Sequence, residues 1–118
     1  MKNPFSFEEF LYILEHDDCF HVDETSFYFI DDPSETEHML GYLPQYEKPY
    51  WIGYCDIPDG CEYDNALELL TAKVYDGNSM KERWDYIDFS TIGALGLDDW
   101  MQYHRDELIL IHKQIFLY

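Results

Sequence analysis

Residues 15–37 read EHDDCFHVDETSFYFIDDPSETE. The stretch holds nine carboxylates and no Lys or Arg. At its centre runs Ser26-Phe27-Tyr28-Phe29-Ile30, a strand-like composition of aromatic and β-branched residues. On a strand, Phe27 and Phe29 face one side and Tyr28 and Ile30 the other. Apolar residues on both faces suit an inner strand. The expectation is therefore a folded domain in which an intensely acidic segment is tied to the core by Phe27 and Phe29.

On the N-terminal side, Ser6 and Glu9 have the spacing of a capping box, which supplies partners for the first unpaired amides of a helix. Phe5 is placed to staple onto Phe10, and Phe7, Phe10, Leu11 and Leu14 fall on one helical stripe. This predicts a helix over 7–16. Asp17-Asp18 then break the pattern, and residues 19–22 read as a short strand.

On the C-terminal side, Asp31-Asp32-Pro33-Ser34 is a loop. The runs 38–43 and 50–56 then read as an antiparallel pair joined by a proline-rich turn at 44–49. Gly41 and Gly53 lie inside those runs, where a glycine marks a bulge or a close backbone approach. Ile57-Pro58-Asp59-Gly60 is a turn, and 61–63 is a short extended piece. Asn65 with Glu68 caps a helix over 66–73, and Ser79 with Glu82 caps a short one through Trp84. Residues 86–92 alternate as a strand does. Asp98-Asp99 open a helix through about His104, anchored by Trp100 and Met101. The tail after Arg105 is rich in β-branched residues and reads as a strand, although Leu108, Ile111 and Ile115 also fit helical spacing. As an edge strand, 108–118 would pair with a second chain and make a homodimer. The class is α+β: one domain over 1–118, a mainly antiparallel sheet with three or four short helices, and 106–118 as a hydrophobic C-terminal segment.

The net charge of −18 is unevenly spread. Residues 1–68 carry 17 acidic and 2 basic side chains, and residues 69–118 carry 8 and 5. Phosphate recognition needs basic side chains, so this balance argues against nucleic acid and against anionic membrane surfaces. It favours basic proteins and, secondarily, divalent metals. Aromatics make up 19% of the chain, too many for an acidic disordered segment. Three cysteines, an odd number, do not make a full disulfide framework. With neither a secretion leader nor a long apolar run in view, a reducing cytoplasm is the expected location.

Catalytic signals are weak. Cys19 and His21 would share a strand face, but the surrounding carboxylates oppose a thiolate. Cys55 and Cys61 are six apart, outside common zinc spacing. His16, Asp17 and Asp18, or Asp56, Asp59, Glu62 and Asp64, supply oxygen-rich turns without the order of a calcium loop. No catalytic, cofactor-binding or metal-ligating residue is assigned. A metal-dependent enzyme is kept as an alternative.

In residues 68–84, ELLTAKVYDGNSMKERW, the order of Glu68-Leu69-Leu70, Ala72-Lys73, Asp76-Gly77, Ser79-Met80-Lys81 and Arg83-Trp84 resembles short uncharacterised bacterial proteins. Those in turn are similar to small acidic immunity proteins encoded beside toxins. Tyr50 to Tyr54 and Ile92 to Trp100 belong to the same pattern. The resemblance implies a non-catalytic protein that neutralises a basic partner, such as a toxin. The resemblance carries over no functional residue; from the charge pattern, the residues expected to meet that partner are Asp17, Asp18, Asp23, Glu24, Asp31, Asp32, Glu35, Glu37 and Tyr46, on the acidic face of 15–37 with help from 56–68. Lys73, Lys81 and Arg83 are expected to pair with local acids such as Glu82 and Asp85. A structural or regulatory homodimer without a charged partner is the alternative.

Overall fold

The computed structural model describes residues 3–116, with side chains through Ile115. Two helices come first, α1 (Phe7–Glu15) and α2 (Asp17–Phe20). Strands β1 (Thr25–Phe29), β2 (His38–Tyr42), β3 (Tyr50–Gly53) and β4 (Cys61–Tyr63) follow. After α3 (Ala66–Thr71) come a 3₁₀ turn (Trp84–Tyr86), β5 (Ile87–Ile92), β6 (Leu95–Gly96), α4 (Leu97–Tyr103) and α5 (Arg105–Phe116). The six strands form one antiparallel sheet in the order β4-β3-β2-β1-β5-β6. The fold is α+β.

The acidic stretch contains the inner strand that its composition implies. β1 lies between β2 and β5, with Phe27 opposite both His38 and Phe89. Phe27, Leu40, Ile52 and Phe89 are all but fully buried and turn toward the helices. The second face of β1 is more polar than the sequence implies. Tyr28 is half-buried there and donates its hydroxyl to Glu37 Oε2 at 3.0 Å, while Ile30, just past the strand, is exposed.

Local capping forms as the spacing requires. The Glu9 amide donates to Ser6 Oγ and the Ser6 amide to Glu9 Oε1, at 3.1 and 2.8 Å. Asn65 Oδ1 accepts from the Glu68 amide at 2.9 Å. Phe5 lies 5.8 Å from the Phe10 ring, and Phe10, Ile13 and Leu14 are buried on α1. Trp84 packs against Phe7, Phe10 and Phe89 and donates its indole N–H to the Phe5 carbonyl at 3.0 Å. Trp100 is buried and donates to the Phe20 carbonyl at 2.9 Å.

Three local expectations are corrected. The tail is α5 rather than an edge strand. Ile111 is buried, Leu108 and Ile115 are half-buried, and the helix packs against α1 and α4. A helical stripe can bury all three residues at once, and that gain overrides their β-propensity. Residues 117–118 of the segment lie outside the described residues. Residues 19–22 are likewise not a strand: Asp17 begins α2, and Asp17 Oδ1 accepts from the Val22 amide at 2.8 Å, with His21 left-handed at φ 52°. That geometry removes the shared strand face of Cys19 and His21. Finally, Ser79 and Glu82 exchange their capping bonds at 3.0 and 3.1 Å but hold a set of turns leading into the 3₁₀ segment, not an α-helix. The described residues therefore contain five α-helices rather than three or four.

Candidate functional site: an acidic cleft with an aromatic floor

Where β1 ends and β2 begins, the sheet opens into a cleft of about 640 Å³. That volume suits a side chain or a small ligand. Phe29, His38 and Tyr75 line its aromatic part. The His38 ring stacks on Phe27 at 5.4 Å and meets Phe29 and Tyr75 edge-on, each at 5.1 Å. His38 Nδ1 lies 2.6 Å from the Tyr54 carbonyl oxygen. A carbonyl only accepts, so Nδ1 carries the proton, and in the neutral ring Nε2 is the basic nitrogen.

Five carboxylates surround this floor: Asp31, Asp32 and Glu37 from the β1–β2 loop, Asp56 from the loop after β3, and Asp76 from the turn after α3. Asp32 accepts from the Ser34 amide at 2.9 Å and the Thr36 amide at 3.2 Å, and these bonds hold its carboxyl below the usual value. Asp56 Oδ2 accepts from the Asp76 amide at 2.8 Å, while the Asp56 amide donates to the Val74 carbonyl at 2.9 Å. These bonds stitch two distant loops into one wall. Glu37, bonded to the Tyr28 hydroxyl, raises the pKa of that phenol.

Among the described residues, the cleft contains one cation of its own. Arg83 pairs with Asp31, and its guanidinium lies over Phe29 at 4.9 Å and Tyr86 at 4.7 Å. This corrects the expectation of local pairing for Arg83, whose acid partner is 52 residues away. Lys73 does pair locally, with Glu82 at 3.8 Å, and Lys81 lies over the Phe7 ring at 4.9 Å. Arg83 shows how this surface holds a cation, with a carboxylate at the edge and aromatic faces beneath it.

The residues expected to meet a partner do not form one surface. Asp31, Asp32 and Glu37 line the cleft. Glu35 is exposed on the same loop at φ 51°. Glu24 and Tyr46 line a separate depression beside Trp51. Asp17 and Asp18 open α2, where Asp17 bonds to the Val22 amide and Asp18 is exposed.

Asp23 has an architectural position. Its Oδ1 accepts from the Tyr42 amide at 3.0 Å and from Trp51 Nε1 at 2.7 Å. The contact requires glycine at 41, because a Cβ there would overlap both the carboxylate and the indole. This is the close approach implied by a glycine inside a strand.

The sequence points to no site role for Asp76, His38, Tyr75 or Arg83, whereas Asp56 belongs both to a metal-like turn and to 56–68, the stretch expected to help meet the partner. No short-range spacing connects them. Among the described residues, no three His, Cys, Asp or Glu side chains come together to hold a metal ion. No helix of the described residues is long and apolar enough to cross a membrane. Of the described groups lining the cleft, no thiol or hydroxyl is hydrogen-bonded to His38. The arrangement supplies concentrated negative charge above an aromatic surface, which is suited to holding a cation.

No protein-family model, curated protein or solved structure matches the chain.

Proposed function

We propose that this is a non-catalytic binding protein that engages a basic partner through the acidic cleft, acting in the cytoplasm in the manner of a small bacterial immunity protein. The observation that carries the reading is the cleft itself, with five carboxylates and one guanidinium around Phe29, His38 and Tyr75. A net charge of −18 would steer a cationic partner toward the chain, and the cleft would seat a Lys or Arg side chain. The immunity role rests on the resemblance of residues 68–84. Free thiols at Cys19, Cys55 and Cys61 fit a reducing compartment.

Titration with an Arg- and Lys-rich peptide at low and high salt tests the reading, with Asp56→Asn and Asp76→Asn as cleft variants. Saturable binding that weakens with salt and with either substitution is expected. Absence of binding at low salt would end the proposal. A second reading, a homodimer through the tail, is favoured by the exposure of Ile109 and Leu110 on α5. Sedimentation of the intact chain against Leu110→Glu separates the two. A monomeric mass for the intact chain removes the dimer.

A further inference from the structure

In the sheet, Gly41 of β2 and Glu62 of β4 stand opposite Trp51 of β3, and Met39 stands opposite Gly53. Leu40 and Ile52, between them, are buried toward the helices, so Met39, Gly41, Trp51, Gly53 and Glu62 share the other face. The Trp51 indole lies across that face. Its Nε1 end stands over Gly41, where a Cβ would overlap it, and its Cζ3 end stands over Gly53, where a Cβ would be 3.5 Å away. Two glycines thus leave the room that a ring laid across the strands needs. Asp23 Oδ1 accepts from Nε1 at 2.7 Å and holds that end in place. The polar atom of the indole is engaged within the fold, so a ligand would meet the aromatic face.

Trp51 is half-buried and lines a depression of about 600 Å³. Glu24, Asp59 and Glu62, all exposed, line it too, against a single cation among the described residues, the exposed Lys48. Among the described residues, none of these three carboxylates forms a salt bridge. The depression and the acidic cleft share Tyr54, which is exposed at φ 55° on their common rim. Arg83 gives the local precedent for a guanidinium on an aromatic face, paired with Asp31 and lying over Phe29 and Tyr86.

We propose that the Trp51 face, ringed by Glu24, Asp59 and Glu62, seats an arginine side chain of a basic protein partner, as a second anchor beside the cleft. A guanidinium is planar, always charged and weakly hydrated. It stacks on an indole while its edge N–H groups donate to carboxylates. A lysine ammonium is compact and strongly hydrated, and gains less from a flat ring. Three carboxylates against one lysine disfavour an anionic occupant, and an apolar one would leave those charges without a complement. The inference rests on the binding reading for its partner, but its anchor residues are not those of the cleft.

The probe is a blocked peptide of alternating Gly and Arg, compared with its Gly-Lys counterpart. Each is titrated into the isotope-labelled full chain at about 0.15 M salt, where exposed charges more than about 8 Å apart are largely screened. The Trp51 indole N–H signal should shift saturably with the arginine peptide, which should bind about three- to fivefold more tightly than the lysine peptide. Glu62→Gln should weaken arginine-peptide binding about threefold. Glu8→Gln, at an exposed acid on α1 across the helix layer, should leave it unchanged. Both substitutions are at exposed side chains, and circular dichroism checks the fold. An unmoved Trp51 signal during saturable binding, equal affinity for the two peptides, or equal losses with Glu62→Gln and Glu8→Gln would each overturn the inference. In those cases a loss with Asp56→Asn or Asp76→Asn still upholds the cleft. A loss with Glu62→Gln and with neither cleft variant upholds the Trp51 anchor and removes the cleft. Absence of arginine-peptide binding removes both.

Discussion

Replacing Asp23 with Ala tests whether this acid is a structural clamp or a free partner-binding charge. The carboxylate accepts two hydrogen bonds, from the Tyr42 amide and the Trp51 indole. Hydrogen bonds to a charged acceptor contribute about 1.5–3 kcal/mol each. Asp23 is half-buried, so water replaces part of what is lost. The net loss should be about 2–4 kcal/mol, or about 10 °C in melting temperature for a domain of this size. Urea unfolding followed by far-ultraviolet circular dichroism measures it, and an unchanged m-value keeps the comparison within two states. Asp23→Asn keeps an oxygen acceptor and should fall between the wild type and Asp23→Ala. Gly41→Ala forces a methyl group into the carboxylate and the indole and should cost about 1–3 kcal/mol. The double variant should lose less than the sum, because removing the carboxylate clears part of that space. A loss below about 0.5 kcal/mol for Asp23→Ala, the level of an ordinary surface substitution, would refute the clamp.

Three further outcomes follow from individual groups. His104 is buried against Phe20, Trp100 and Tyr103, and burial lowers its pKa; Glu107, 3.7 Å away, opposes that shift and His21 adds to it. The unfolded chain therefore takes up the proton first. Stability should fall as pH drops below about 6.5, and His104→Phe should flatten that slope in urea titrations. The Tyr50 hydroxyl donates to the Leu14 carbonyl at 2.9 Å and is pushed up to about 12, chiefly by burial. Stability should decline as pH rises from about 10 through that value, and Tyr50→Phe should remove this part of the decline by the same assay. Arg83→Gln frees Asp31 and removes the cleft's own cation, so a cationic peptide should bind more tightly in calorimetry. The stability cost should be about 1 kcal/mol or less, since the pair is partly exposed.

The acidic stretch was legible as a strand because Phe27 and Phe29 alternate within it, and β1 lies where such a strand belongs. Its charges were harder to assign. Asp23, Asp31 and Glu37 look alike as letters, yet one clamps an indole, one pairs with Arg83 and one bonds to Tyr28. The Cys19–Val22 reading failed because a single carboxylate, Asp17, could terminate a helical turn that strand propensity does not register. The tail failed for a different reason. Its helical spacing was visible, but only packing against α1 and α4 made that spacing outweigh the β-branched composition.

By itself the sequence determined what acts over three or four residues or by simple alternation. That includes the caps at Ser6 and Asn65, the β2–β3 pair, the core positions Phe27 and Trp100, and a net charge of −18. These depend on neighbours whose distance is fixed by the chain itself. The tertiary structure decided which acids share a place. Asp31 meets Arg83 across 52 residues, and Asp56 meets the Asp76 amide across 20. Such meetings follow from how the sheet and its loops close, and no local spacing specifies them.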